Sequence, residues 1–234
     1  MDYSFPRNDF RQESDIPYQE WYSESTRQRY RSWGPKSRQY PPLPQGGNMD
    51  AAWMRQRLLA VAQRMIGLPY QHHHIPDWEP PSDWPWKQVA FGRQSKGLDC
   101  SNFSSWLYNY GLGIKLMTKV DEQAAAVEVP GPGGTGTVQL EVIYDDSGYD
   151  GLVRKLKAGD LLYIKNKQGE ISHVIMWVGE YGRAPDGAPL IVDCTDTERR
   201  DCKGNAIPQG VQLRPFLPNS WYYKSFSHAH RIIQ

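Results

Sequence analysis

Cys100 stands in the segment Leu98-Asp99-Cys100-Ser101-Asn102-Phe103. Asp99 has the side chain of a helix N-cap, which would put Cys100 in the first turn of a helix. Backbone N–H groups there lack helical partners, and the peptide dipole favours an anion. A sulfur in that place is biased toward thiolate, its nucleophilic form. The same N–H groups suit the oxyanion formed when a carbonyl is attacked. Taken alone, a cysteine near a helix start is more often a small buried residue. A nucleophilic sulfur also needs an imidazole to take its proton, and the imidazole needs a polar group to orient it. His173 lies in the apolar run Ile171–Val178, and Asp193 lies in Leu190–Thr195. Each alone reads as a core polar residue with its hydrogen bonds met. An aspartate in such a run is costly unless paired. If the two runs are neighbouring strands, Asp193 accepts the second imidazole N–H and fixes the tautomer. The three residues then satisfy one another, with Asp196 as the alternative third member.

The elements that must position these residues are legible from periodicity. Met54, Leu58, Val61, Ala62 and Met65 form one face of a helix, capped by Asn48 or Asp50 and stopped at Gly67-Leu68-Pro69. Phe103, Trp106, Leu107 and Tyr110 mark a second helix, ended by Gly111. Between them, residues 70–98 read as a loop rich in Trp, Pro and His. Residues 121–158, with Pro130-Gly131-Pro132-Gly133-Gly134, read as a flexible excursion with no phosphate-binding spacing. Asp160–Lys165 and Ile171–Val178 read as a β-hairpin, Leu190–Thr195 as a third strand and His228–Ile233 as a fourth. Helices followed by consecutive antiparallel strands predict an α+β domain.

Composition sets the outer bounds. The chain has 234 residues and a formal net charge of +1. This balance gives no electrostatic case for nucleic acid or an anionic membrane. Its apolar runs fall well short of the roughly 18 residues of a membrane span. The opening MDYSFPRNDFRQ holds no apolar stretch resembling a secretory leader. Residues 1–47 contain no Val, one Ile (Ile16) and one Leu (Leu43), too little to build a core. They read as a disordered or draped arm preceding a catalytic domain at 48–234. A sharper reading has Trp21, Tyr22, Tyr30 and Trp33 clamp the arm onto the domain or a partner.

Taken together, the motifs resemble the NlpC/P60 cysteine peptidases. Leu98–Phe103 is similar to that family's Asp-Cys-Ser-Gly-Phe signature, with Asn102 in place of the usual Gly. Ala158-Gly159-Asp160-Leu161-Leu162 and Ile171-Ser172-His173-Val174 are similar to its Gly-Asp-Leu and Ser-His-Val strands, and Gly67-Leu68-Pro69-Tyr70 to its Gly-x-Pro-Tyr segment. The resemblance spans about residues 50–195. It implies a papain-like α+β fold, with N-terminal helices on an antiparallel sheet. It implies a triad of Cys100, His173 and Asp193, the last in a position where His, Asn or Gln is common. Tyr70 would steady the oxyanion, and Asp99, Ser101 and His72 would line the oxyanion and substrate site. Ser101 reads equally as a first-turn residue bonding backbone. The implied substrate is a peptidoglycan stem peptide or muropeptide, cut at a D-γ-glutamyl–diamino acid bond without metal or organic cofactor. The location would be the cell envelope or outside if the substrate is wall, and the cytoplasm if muropeptides are recycled.

Other readings stay open at this level. His72-His73-His74 with Asp77 could ligate zinc, although consecutive histidines rarely present three nitrogens tetrahedrally. Cys194 and Cys202 either pair, leaving Cys100 as the free thiol, or stay reduced. A related Cys–His amidase or acyltransferase would use the same pair, and a non-catalytic wall-binding module would dispense with the triad.

Overall fold

The computed structural model describes residues 39–43, 49–67, 70, 98–201 and 203–234, with Ser25 and Gln28. Helix α1 spans Ala51–Met65 and is capped by Asp50, whose carboxylate accepts from Trp53 N at 2.7 Å. Leu58, Val61, Ala62 and Met65 form its buried stripe, as the 3.6-residue period requires; Met54 is partly buried. Asn48 lies outside the described residues. Helix α2 spans Cys100–Leu112 and is buried along its whole length. It ends past Gly111, at Gly113, in a left-handed conformation (φ 71°). A Cβ there would come within 2.9 Å of Pro41 O, so only glycine fits the turn.

A six-stranded antiparallel sheet in the order β3-β10-β4-β5-β6-β9 carries these helices. Its strands are β3 (Glu141–Ile143), β4 (Leu161–Lys165), β5 (Ile171–Trp177), β6 (Leu190–Thr195), β9 (Gly210–Pro215) and β10 (Phe226–Arg231). Side chains alternate between its faces. Leu161, Tyr163, Val174, Met176 and Val192 pack with α1 and α2. Leu162, Ile164, Ile175, Trp177 and Ile191 pack in a second cluster with Leu152, Phe216 and Tyr222. Burial on both faces explains why β4 and β5 read as near-continuous apolar runs.

Four strands were expected, and β3 and β9 are additions. Residues 121–158, expected to be a flexible excursion, form regular elements. These are α3 (Val120–Ala125), the hairpin of β1 (Glu128–Pro130) and β2 (Thr137–Gln139), edge strand β3, and α4 (Gly148–Lys155). The Pro-Gly stretch closes the hairpin through Gly131 N to Gly136 O at 3.0 Å and is tied to the α2 terminus through Gly133 N to Gly113 O at 2.9 Å. A short pair, β7 (Arg199–Arg200) and β8 (Ala206–Ile207), lies between β6 and β9. The one-turn helix α5 (Trp221–Lys224) precedes β10. From the arm, residues 39–43 dock on α2: Tyr40 and Leu43 are buried, and Tyr40 N donates to Asn109 Oδ1 at 2.9 Å. Trp21, Tyr22, Tyr30 and Trp33 lie outside the described residues.

Candidate active site

Asp99 caps α2 as the sequence requires. Its Oδ1 accepts from Asn102 N and Asn102 Nδ2, both at 2.8 Å. Cys100 is therefore the first residue of the helix, and it is 8% exposed. Ser101 turns its hydroxyl away to donate to Thr118 O at 2.6 Å. That is the backbone-bonding role for Ser101.

His173 and Asp193 sit on neighbouring strands. β5 and β6 pair at Met176↔Val192 and Trp177↔Ile191, and the two polar residues lie beyond that contact, toward the start of β5. By alternation His173 shares a face with Ile175 and Trp177, and Asp193 shares it with Ile191. Cys100 belongs to the core on the α2 side of the sheet. Sulfur and imidazole thus meet past the end of the strand pairing. His173 Nε2 lies 2.7 Å from Asp193 Oδ1. The Cys100 sulfur is the other group that acts on the imidazole, and Nδ1 is the ring nitrogen that Asp193 leaves open.

The electrostatics favour charge separation. Burial alone would lower the His173 pKa, but the Asp193 carboxylate and the Cys100 sulfur raise it to about 10. Burial would raise Asp193, yet the histidine, Arg214 and Tyr222 hold it below its ordinary value. Asp193 is fully buried; its Oδ2 accepts from the Tyr222 hydroxyl at 2.5 Å and lies 3.4 Å from Arg214 Nε. That Nε has no hydrogen-bond partner, so the contact is one of charge. Arg214 spends Nη2 on Pro208 O at 2.6 Å and Nη1 on Ile207 O at 3.3 Å. Trp221 closes over His173, ring centroids 5.6 Å apart.

The remaining expected residues divide. Tyr70 is half-buried and bridges to Leu98, next to the cap. Burial first, then the negative charge of Cys100, Asp99, Asp196 and Cys194, push its pKa well above the tyrosine range, so its hydroxyl remains a donor. Asp196 is exposed and bonds Thr197 Oγ1 at 3.0 Å, so Asp193 takes the place beside the imidazole. The buried Cys194 thiol donates to Leu98 O at 3.1 Å. Cys202, His72, His73, His74 and Asp77 lie outside the described residues. Among the described residues no cluster of three His, Cys, Asp or Glu is arranged to hold a metal. Sequence reasoning missed Arg214, Tyr222 and Trp221. The available signal was a lone arginine inside Gly210–Pro215, of the same kind that singled out Asp193. A cavity of about 580 Å³ lies elsewhere, walled by residues of the 121–158 segment with Tyr163, His230 and Ile232.

A sulfur at a helix start, beside an imidazole that a buried carboxylate orients, can form a thiolate–imidazolium pair. Residues 87–184 match the NlpC/P60 family. The NlpC/P60 match includes Cys100 and His173 and stops short of Asp193. Among solved structures, an NlpC/P60 family protein from Bacillus cereus ATCC 10987 is similar at 18% identity over 77% of this chain and 40% of that one, with a TM-score of 0.43. The NlpC/p60 domain of the peptidoglycan hydrolase SagA is 18% identical over 75% of this chain and 96% of that one, with a TM-score of 0.38. NlpC2 from Trichomonas vaginalis is 15% identical over 77% of this chain and 46% of that one, with a TM-score of 0.40. The chain thus spans less than half of the Bacillus and Trichomonas proteins. No curated protein matches it.

Proposed function

We propose that the protein is a cysteine peptidase that hydrolyses peptidoglycan stem peptides at a D-γ-glutamyl–diamino acid bond. One observation carries the reading: His173 Nε2 lies 2.7 Å from the buried Asp193 Oδ1, and the Cys100 sulfur at the start of α2 acts on the same imidazole. The NlpC/P60 match and the stem-peptide substrate that this family implies supply the substrate class. In the reaction, His173 Nδ1 takes the Cys100 proton while Nε2–H stays on Asp193. The thiolate attacks the scissile carbonyl carbon, and the π electrons move onto its oxygen. The Cys100 backbone N–H and the protonated Tyr70 hydroxyl stabilise that oxyanion. Collapse breaks the C–N bond, and the leaving nitrogen takes the proton from His173. Water, deprotonated by His173, then attacks the thioester and releases the acid and the thiol.

The test is incubation of the full chain with purified muropeptides and mass measurement of the products. The reading expects two fragments whose masses sum to substrate plus one water, and no turnover by Cys100→Ala. A Cys100→Ala variant that cleaves as fast as wild type would remove the nucleophile. Turnover that depends on an added amine acceptor, with no net hydrolysis, would make the protein an acyltransferase.

A further inference from the structure

An ionised carboxylate buried in a protein needs compensation that a neutral side chain would not. Asp193 has that compensation from two groups outside the Cys100–His173–Asp193 set. Its Oδ1 faces His173 at 2.7 Å, while its Oδ2 accepts from Tyr222 at 2.5 Å and faces Arg214 Nε at 3.4 Å. Both oxygens are committed, so the carboxylate plane cannot swing away from the imidazole. Arg214 is itself fixed: it is fully buried and bonded to the carbonyls of Ile207 and Pro208 at the β8–β9 junction. Tyr222 is fixed by α5, whose cap is Ser220 and whose neighbour Trp221 lies against His173. Arg199 stacks its guanidinium on both rings, 5.0 Å from Trp221 and 5.5 Å from Tyr222.

We propose that Tyr222 and Arg214 are positioning residues, which hold Asp193 ionised and aimed at His173, so that the imidazole is oriented toward Cys100. The proposal rests on the reading of Cys100 and His173 as the reactive pair. The ionisable groups facing this pair are Cys100 on α2, Asp193 on β6, Arg214 on β9 and Tyr222 on α5. Arg199 acts through Tyr222, and Asp99, Tyr70 and Cys194 lie on the sulfur side. Burial and the nearby Asp193 carboxylate keep the Tyr222 hydroxyl protonated across the working range, so it acts as a permanent donor. Removing that donor leaves Asp193 less firmly ionised and its carboxylate free to turn away from the imidazole.

The experiment uses the full chain and no substrate. Iodoacetamide alkylation of Cys100, located by mass spectrometry, is followed from pH 4 to pH 9 in wild type and Tyr222→Phe. The acid limb of Tyr222→Phe should move up by about one pH unit, a roughly tenfold loss of rate below it. In ¹⁵N-histidine NMR the His173 titration should fall, while His228, stacked on Tyr163, and His230, edge-on to it, keep theirs. Superimposable alkylation profiles would overturn the proposal. So would equal shifts at all three histidines, which report general loosening. If Tyr222→Phe does not fold, Arg214→Lys and Arg214→Gln decide. The lysine keeps the charge but not the fork and should shift the profile less than the glutamine, which should shift like Tyr222→Phe, and identical profiles for the two would overturn the proposal. A protein that alkylates with the expected acid limb but leaves muropeptides intact would sink the peptidase reading alone.

Discussion

A buried carboxylate is tolerated when its neighbours compensate the charge, and Asp193 shows how closely that compensation is bound to the candidate chemistry. Its partners come from three other elements: His173 on β5, Arg214 on β9 and Tyr222 on α5. The polar residues inside apolar runs were the most legible part of the site, because a charge in a strand demands an explanation. His173 and Asp193 were found that way, and Arg214 carried the same signal without being weighed. Tyr222 was not legible, since a tyrosine in Ser220-Trp221-Tyr222-Tyr223 reads as ordinary packing. Asp193→Asn tests both consequences. It leaves the Arg214 charge buried without its counter-ion and should cost about 3 kcal/mol in urea denaturation. It should also lower turnover of muropeptides on the order of ten-thousandfold, by analogy with loss of the orienting aspartate in serine proteases. A variant with full stability and full activity would show that the carboxylate does neither job.

Helix α2 is the element on which the sulfur depends, and both of its ends are fixed by single residues. At the start, the Asp99 carboxylate accepts from Asn102 N and Asn102 Nδ2. Asp99→Ala should cost about 1–2 kcal/mol, and Asp99→Asn much less, because asparagine caps nearly as well. At the end, Gly113 has φ 71° and faces Pro41 O. Gly113→Ala should therefore cost more than about 1 kcal/mol, from strain at positive φ and loss of the docked 39–43 segment. Chemical denaturation of each variant checks both. The helices and central strands were legible because their periods are clean. β9 was missed although Val211-Gln212-Leu213-Arg214 alternates apolar and polar, because only four residues between Gly210 and Pro215 carry the pattern. β3 and the β1–β2 hairpin were missed because three-residue strands between glycines and prolines carry too few side chains to show a period. What orders them is tertiary: β3 pairs with β10, and Gly133 N is bonded to Gly113 O.

At the scale of the whole molecule, the buried histidines should set opposite pH limbs of stability. The folded His173 pKa lies at about 10, above its ordinary 6.5. Its stabilisation is thus fully present below pH 6.5 and is lost as the pH rises toward 10. His230 runs the other way: burial, with His228 beside it, lowers it to about 4. The unfolded chain then binds the extra proton first, so stability falls as the pH drops from 6.5 toward 4. His228, also lowered by burial, adds to that acid limb. Cys194, raised above 9.0 by burial, opposes unfolding until about that pH, so the loss between pH 6.5 and 9 belongs chiefly to His173. Stability should therefore peak near pH 6.5. Urea midpoints measured from pH 4 to pH 10 test this. His173→Gln should flatten the alkaline limb and leave the acid one, and His230→Gln should do the reverse. The two sites lie at different places on one sheet, His173 beside β6 and His230 in the cavity under the 121–158 segment. If either substitution flattened both limbs together, the two histidines would not be independent proton sites, and the separation of the candidate-site strands from the cavity would fail as a description of the molecule.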